Sequence, residues 1–239
     1  MENISKALLI AAGMLILIMI LSLLVIGYQQ ISAYYSRQHD ATMVEQTIEF
    51  NKRFENYNRN DIRGNELISL MNRVIDYNAT QVYEEETKFK RLILSINVGE
   101  QDILDQFKYD ASLEGRITSE IDNSSNDRDL IKITGVELNS KSIIGNNVTT
   151  TQLQRLSANI HYIMDDSNEF RDEKIKSILK TDTYDIDDVK NATAQYYEYT
   201  QFKRACFNCT GVEYDPDTGR VVRMTFKLQT KNDGKVVFK

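Results

Sequence analysis

The chain begins with a long apolar segment and then changes abruptly to a polar pattern. The thirty residues from Ala7 to Ser36 carry no charged side chain. A bilayer core about 30 Å thick is crossed by roughly 20 helical residues, so this segment is long enough to span a membrane. It is too long for the apolar core of a cleavable signal peptide, and Tyr28, Tyr34 and Tyr35 are typical of a helix leaving the bilayer. We therefore expect a retained membrane anchor.

The apolar pattern continues beyond the anchor at helical spacing. Its members are Ile31, Tyr34, Ala41, Val44, Ile48 and Phe54, of which the first five recur at intervals of three, four and seven residues. Residues 28–63 contain neither proline nor glycine, whereas Gly64 marks a break. The pattern predicts one helix over about residues 5–58 and a second helix over Glu66–Tyr77.

The middle of the chain mixes short strand and helix patterns. Apolar residues alternate with period two from Leu92 to Val98, which predicts a strand, and we expect a second strand over Leu130–Leu138. Thr149 and Gln152 form the pattern of a capping box at the start of a helix. Further short helices are expected at 100–110, 172–179 and 185 to about 196, and a loop over most of 112–128.

The C-terminal residues give the clearest β pattern. Two strand-like segments, Phe202–Tyr214 and Val221–Leu228, flank the turn sequence Asp215–Gly219, which contains the single proline. This arrangement predicts a β-hairpin, and residues 235–238 could add a short last strand. The fold class is therefore α+β: a long N-terminal membrane-anchored helix followed by a small mixed head with a C-terminal β-hairpin. We expect an anchor at 1–30, a helical stalk with the second helix at 31–80, and the head at 81–239.

Charge narrows the choice of partners. The formal net charge is −6, so no basic field exists to collect phosphates, and nucleic acid is not an expected partner. The lipid bilayer is the partner that the anchor implies. Lys6 gives the N-terminal flank a small positive bias, which favours a cytoplasmic N-terminus and a head on the outer side of a bacterial cell membrane.

One aromatic face near the end of the long helix is a candidate contact surface. Phe50, Phe54 and Tyr57 follow one another at intervals of four and three residues. They fit either a contact between the helix and the head or a packing stripe between subunits of an assembly. Asn51 lies beside this face, where its amide is placed to hydrogen-bond a neighbouring backbone.

Two cysteines form a Cys-x-x-Cys pattern at Cys206 and Cys209. Because this pattern lies in a predicted strand, the two side chains are expected on opposite faces, and a disulfide would require a turn at Phe207–Asn208. Structural thiols, a local disulfide, and redox or metal use remain open.

Acidic clusters are the other candidates for metal binding. Asp215 and Asp217 resemble the start of a calcium loop, but the twelfth position holds Phe226, and a hairpin turn explains the same residues. The cluster of Asp182, Asp185, Asp187 and Asp188 fits a solvated helix start. We expect no metal, no cofactor and no catalytic residues.

A resemblance to known proteins rests on the first 80 residues. The segment Phe50–Tyr57, which reads Phe-Asn-x-x-Phe-x-x-Tyr, and the helix led by Gly64 and ending at Tyr77–Asn78 resemble small single-pass proteins of Clostridia and other Firmicutes. Some of those proteins are associated with Flp/Tad-like pilus or secretion systems. The long anchored helix before an α+β head is similar to the architecture of type IV pilins and pseudopilins. The resemblance makes Phe50, Asn51, Phe54, Tyr57 and Gly64 candidates for packing or assembly.

The chain departs from the pattern of processed pilins. Its first glycine, Gly13, lies inside the apolar segment, and no acidic residue follows within that segment. This departure argues against cleavage by a prepilin peptidase. The expected function is a non-enzymatic pilin-like or scaffold subunit of a bacterial envelope assembly, which would associate with itself or with other envelope proteins through its N-terminal helix. The alternative is a membrane-tethered extracytoplasmic sensor or binding module.

Overall fold

The polypeptide divides into two compact units, Met1–Phe50 and Asn51–Lys239. The computed structural model describes residues 2–80, 90–124, 128–134 and 148–239. The first unit is helical: helix α1 runs without interruption from Glu2 to Glu55, over 54 residues. The predicted long helix is therefore confirmed, and its last turn belongs to the second unit, which we call the head.

The head is an α+β unit. In the part of the head that the structure describes, its elements follow α1 in this order: β1 (Ile62–Arg63), α2 (Gly64–Thr80), β2 (Ile93–Asn97), α3 (Gln101–Leu104), a 3-10 turn (Asp105–Phe107), β3 (Glu120–Asp122), α4 (Arg128–Thr134), α5 (Thr150–Ala158), α6 (Ile160–Met164), α7 (Arg171–Leu179), α8 (Ile186–Arg204), β4 (Cys206–Tyr214) and β5 (Val221–Leu228). The predicted second helix thus begins at Gly64 and lies in the same compact unit as the sheet.

The five strands form one mixed sheet in the order β1-β4-β5-β2-β3. β4 and β5 form the predicted antiparallel hairpin, in which Val212 lies opposite Met224. β2 pairs with β5 in parallel, with Leu94 opposite Met224, while β1 and β3 are short antiparallel strands at the two edges. The sheet therefore joins residues from both ends of the head.

Two apolar clusters fill the head. On β2 the alternating residues Leu94 and Ile96 are buried, as the period-two pattern predicted. The rings of Phe107 and Phe207 pack against Phe202, with centroids 6.4 and 5.1 Å away. The second cluster joins α5, α6, α7 and α8 through mainly aliphatic side chains, including Leu153, Leu156, Ile163, Ile175, Leu179 and Val189. Because α8 contributes to both clusters, it connects the sheet with the helical layer.

Two predictions about secondary structure were wrong. Residues 130–134 of the predicted strand Leu130–Leu138 lie in helix α4, in which Leu130 and Ile133 are buried one turn apart, and the rest of that prediction lies outside the described residues. Short apolar runs of this kind fit both periodicities. Phe202 lies in the last turn of a helix rather than at the start of a strand, because α8 continues to Arg204. In the predicted loop 112–128, the short strand β3 occupies three of the described residues.

Candidate functional site: the N-terminal helix and its junction with the head

The apolar segment of α1 lies fully exposed. Its large side chains from Leu8 to Ile26 are each more than half exposed, on every side of the helix. A helix that is apolar all round is stable only inside a protein core or a membrane. In the part of the chain that the structure describes, this is the one helix long and apolar enough to cross a bilayer.

A second set of exposed apolar residues continues along α1 beyond the tyrosines of the predicted membrane interface. Ile31, Tyr34, Val44 and Ile48 are between 58% and 66% exposed. These positions belong to the stripe predicted from the sequence. Exposed apolar side chains that recur along one helix mark a surface for contact with another molecule.

The aromatic face does not continue this exposed stripe. Phe50 and Phe54 are 7% and 3% exposed, and Tyr57 is half-buried. The burial of Phe54 within the head supports the interpretation of this face as a contact inside the chain. It leaves the ring of Phe54 almost no exposed surface.

Asn51 ties the last turn of α1 to the hairpin. Its Nδ2 donates to the carbonyl of Gly219 at 2.9 Å, and its Oδ1 accepts from the N–H of Val221 at 2.9 Å. Neighbouring strand β2 pairs with β5 only from Arg223 onward. The side-chain amide thus pairs with the backbone just before the parallel ladder begins, as a strand residue would. Sequence reasoning identified the residue and the kind of bond but could not identify the partner.

Gly64 lies where α2 meets the end of α8. Its N–H donates to the carbonyl of Ala205 at 2.8 Å. A Cβ at this position would lie 1.7 Å from the carbonyl oxygen of Phe202, far inside any van der Waals contact. Glycine is required here for the close approach of two backbones, which explains the break in the helical pattern.

Two further amides use the same hydrogen-bond pattern as Asn51, and sequence reasoning did not identify them. Asn123 donates to the carbonyl of Leu92 (3.2 Å) and accepts from the N–H of Leu94 (2.8 Å). Gln106 donates to the carbonyl of Gly234 (3.1 Å) and accepts from the N–H of Val236 (2.9 Å). In each case the amide pairs with a carbonyl and the N–H two residues later, which point to the same side of an extended chain. We call this arrangement an amide bridge.

The cysteine pair lies at the start of β4 as two free thiols. Cys206 is buried and Cys209 is half-buried, and burial raises the pKa of both thiols. An elevated pKa keeps a thiol protonated and unreactive. The geometry is therefore that of structural thiols, and the disulfide stays a prediction.

In each acidic cluster, one aspartate accepts hydrogen bonds from backbone N–H groups. Asp215 is buried, accepts from the N–H of Asp217 at 2.9 Å and pairs with Lys90 at 3.4 Å, so it fixes the hairpin turn. The hydrogen bond from Asp217 and the charge of Lys90 hold the pKa of Asp215 below its usual value. Asp185 caps the first turn of α8. Across the described ranges, no three His, Cys, Asp or Glu side chains are grouped so that they could hold a metal ion.

Two open clefts lie on the head. One, of about 590 Å³, is lined by Tyr57, Arg59, Glu66 and neighbouring residues, and Arg59 donates to Glu66 across it at 2.5 Å. The other, of about 520 Å³, lies between residues 109–113, the end of α6 and the start of α8, where Tyr109, Leu113 and Met164 contribute apolar surface beside polar side chains that include Asp187 and Lys190.

The comparisons with known proteins give no family. No protein-family model, no curated protein and no solved structure matches the chain.

Proposed function

We propose that the protein is a non-enzymatic subunit of a bacterial envelope assembly, anchored in the membrane by α1 and related in design to pilin-like proteins. The single observation that carries the proposal is the exposure of apolar side chains along α1 from Leu8 to Ile48. Lipid accounts for the first part of this surface, since residues 8–26 are apolar on every side. It does not account for Val44 and Ile48, which are exposed beyond the first charged residue after the apolar segment, Arg37.

The junction with the head supports a structural role for α1. An anchor whose only task is to hold a domain near the membrane needs no specific bonds at its end. Here Asn51 in the last turn of α1 bridges Gly219 and Val221, so the helix end and the C-terminal hairpin are held together. These bonds make the last turn of α1 an integral part of the head.

The proposed topology follows the charge bias of the N-terminal flank. Lys6 lies on the cytoplasmic side, and the head lies on the outer side of the membrane.

One observation favours a second candidate, a membrane-tethered binding module. The cleft beside Lys190 combines the ring of Tyr109 with Leu113 and Met164, and a concave surface of this composition suits a small ligand or a peptide side chain. In that case the head would act alone, and α1 would serve only as a tether.

An anchor exchange distinguishes the two candidates. Residues 8–48 of the full chain would be replaced by an unrelated single-pass membrane helix of the same length, with residues 49–239 unchanged so that Asn51 and Phe54 keep their contacts. Native membranes would be cross-linked, solubilised and separated by mass. An assembly subunit should run in a high-mass complex that the exchange abolishes.

The control is a double substitution, Tyr109→Ala with Lys190→Ala, which alters the cleft and leaves α1 intact. It should leave the complex unchanged. If the anchor-exchanged protein keeps the complex and the cleft variant loses it, the subunit proposal is wrong and the binding module is the better description.

A further inference from the structure

Helix α1 has two different faces beyond the anchor. Phe50 and Phe54 mark the buried face. Tyr34 and Ile48 lie roughly on the opposite side, because a helix turns about 100° per residue, and both are more than 60% exposed. Tyr34 and Ile48 thus lie on a different side of α1 from the buried Phe54.

Two residues of the exposed stripe, Tyr34 and Ile48, lie on a seven-residue repeat that extends into the anchor. Counting back from Ile48 in steps of seven gives one line of positions, which we call the heptad seam: Ile48, Ala41, Tyr34, Gly27, Ile20 and Gly13. A straight helix drifts by about 20° per heptad from such a line, so a sustained repeat is satisfied when two helices wind around each other. At Gly13 and Gly27 nothing lies within 4 Å of the place where a Cβ would be, so a second backbone can approach there.

We infer that the heptad seam binds a second copy of this chain, in parallel and in register. The inference rests on the proposed function, since it names the partner of the α1 surface. An anchored helix has a fixed depth and direction in the membrane. Another copy therefore presents the same seam at the same depth, so that each seam residue lies opposite the same residue of the second copy both inside the membrane and above it.

The residues beside the seam are compatible with this pairing. Arg37 and Val44 lie on one side of the seam, and Gln38 and Glu45 lie on the other. In a parallel two-fold pair, the first side of each helix faces the second side of the other. Arg37 therefore lies opposite Gln38 of the second copy, and Val44 lies opposite Glu45 of the second copy. Like charges that face each other would destabilise the contact, and none of these pairs brings like charges together.

Cysteine scanning of the full chain in native membranes tests the inference. In a background carrying Cys206→Ala and Cys209→Ser, single cysteines would replace Tyr34, Ala41 and Ile48 on the seam. Matched controls would replace Ser32, Ser36 and Gln46, which are exposed on the other side of the same helix. After mild oxidation, we expect disulfide-linked dimers from the three seam variants and no dimers from the three control variants.

Three results would overturn the inference. Dimers that form equally at seam and control positions would show unspecific collision, and cross-links only to other proteins would show that the seam binds a different partner. If the anchor exchange abolishes the complex but the seam gives no dimers, the proposed function stands and only the second copy is excluded. Should the cysteine-free background fail to fold, a photo-reactive phenylalanine analogue at Tyr34 or Ser36 in the unmodified chain gives the same comparison.

Discussion

Asn51 and Val221 are 170 residues apart, and the side chain of one pairs with the backbone of the other as a neighbouring strand would. The second half of the pairing is the bond from Asn51 to the carbonyl of Gly219. Through these two bonds the last turn of the N-terminal helix is fixed to the start of the last strand. The amide of Asn51 therefore contributes to the stability of the hairpin where β5 begins.

Asn51→Ala should destabilise the protein by about 1–3 kcal/mol, because the N–H of Val221, which is part-buried, loses its acceptor. The measurement is denaturant unfolding of the full chain in detergent. Asn58→Ala, a substitution at an exposed asparagine just beyond the helix, is the matched control and should change stability by less than about 0.5 kcal/mol. Equal stability of the two variants would show that the bridge contributes nothing.

Gly64→Ala should destabilise the protein by about 3 kcal/mol or more, because the added methyl group would overlap the backbone of Phe202 and force α2 and α8 apart. The matched control is Gly211→Ala in β4, where nothing lies within 4 Å of the added Cβ. Thermal unfolding of the two variants should separate them clearly. A Gly64→Ala protein that unfolds like the Gly211→Ala protein would contradict the close approach of the two backbones.

The sequence predicted the elements that depend on local pattern. The long helix, the capping box at Thr149 and the hairpin all follow from spacing within a short segment, and all are present. The errors arose where tertiary contacts decide. Leu130 and Ile133 fit a strand or a helix equally well, and the buried ring of Phe202 keeps an aromatic, strand-like segment helical.

The candidate junction was predicted only in part, for the same reason. Asn51 was identified because it lies beside an aromatic face, a local feature. Asn123 and Gln106 make the same amide bridge, yet nothing in their neighbours distinguishes them from other polar residues near a loop. An amide bridge depends on which backbone segment folds against the side chain, and this information is spread over the whole chain.

Glu198 should give the protein a specific pH dependence. Its carboxylate is buried in α8 and accepts from the N–H groups of Arg116 and Ile117 at 2.8 and 2.9 Å. Burial raises its pKa above the usual 4.5, although these hydrogen bonds and the nearby charges of Lys108 and Arg116 oppose the change. Between the unfolded and the folded pKa the folded state binds more protons, so the free energy of unfolding should fall as pH rises through that window.

The measurement for Glu198 is denaturant unfolding at a series of pH values from about 4.5 upward. Glu198→Gln removes the titrating group, so its stability should lack this downward slope when compared with the unmodified protein. Glu114→Gln, at an exposed glutamate, should keep the slope. Parallel pH profiles for all three proteins would show that Glu198 does not titrate in this range.

The two cysteines should differ in reactivity with a thiol reagent. Cys209 is half-buried and should be alkylated slowly in the folded protein, whereas Cys206 is buried and should react only after unfolding. Mass spectrometry of peptides labelled before and after denaturation gives the order directly. A protein isolated from its membrane that takes up no label until it is reduced would instead reveal a disulfide between Cys206 and Cys209.

Asn78 and Asn123 should be energetically coupled, because both amides donate to the carbonyl of Leu92, at 2.9 and 3.2 Å. Asn78 also accepts from the N–H of Leu92, so the two side chains together fix the start of β2. Each alanine substitution alone should cost about 1–3 kcal/mol, because it leaves a buried N–H, of Leu92 or of Leu94, without its acceptor. The destabilisation of the double variant should differ from the sum of the two single destabilisations by at least about 0.5 kcal/mol, since residues that share a partner are not independent.

A double-mutant cycle by denaturant unfolding measures this difference, and the pair Asn78 and Asn51, which have no partner in common, provides the control. Strict additivity for Asn78 and Asn123 would mean that the two amides stabilise the strand independently and that the shared carbonyl transmits no coupling.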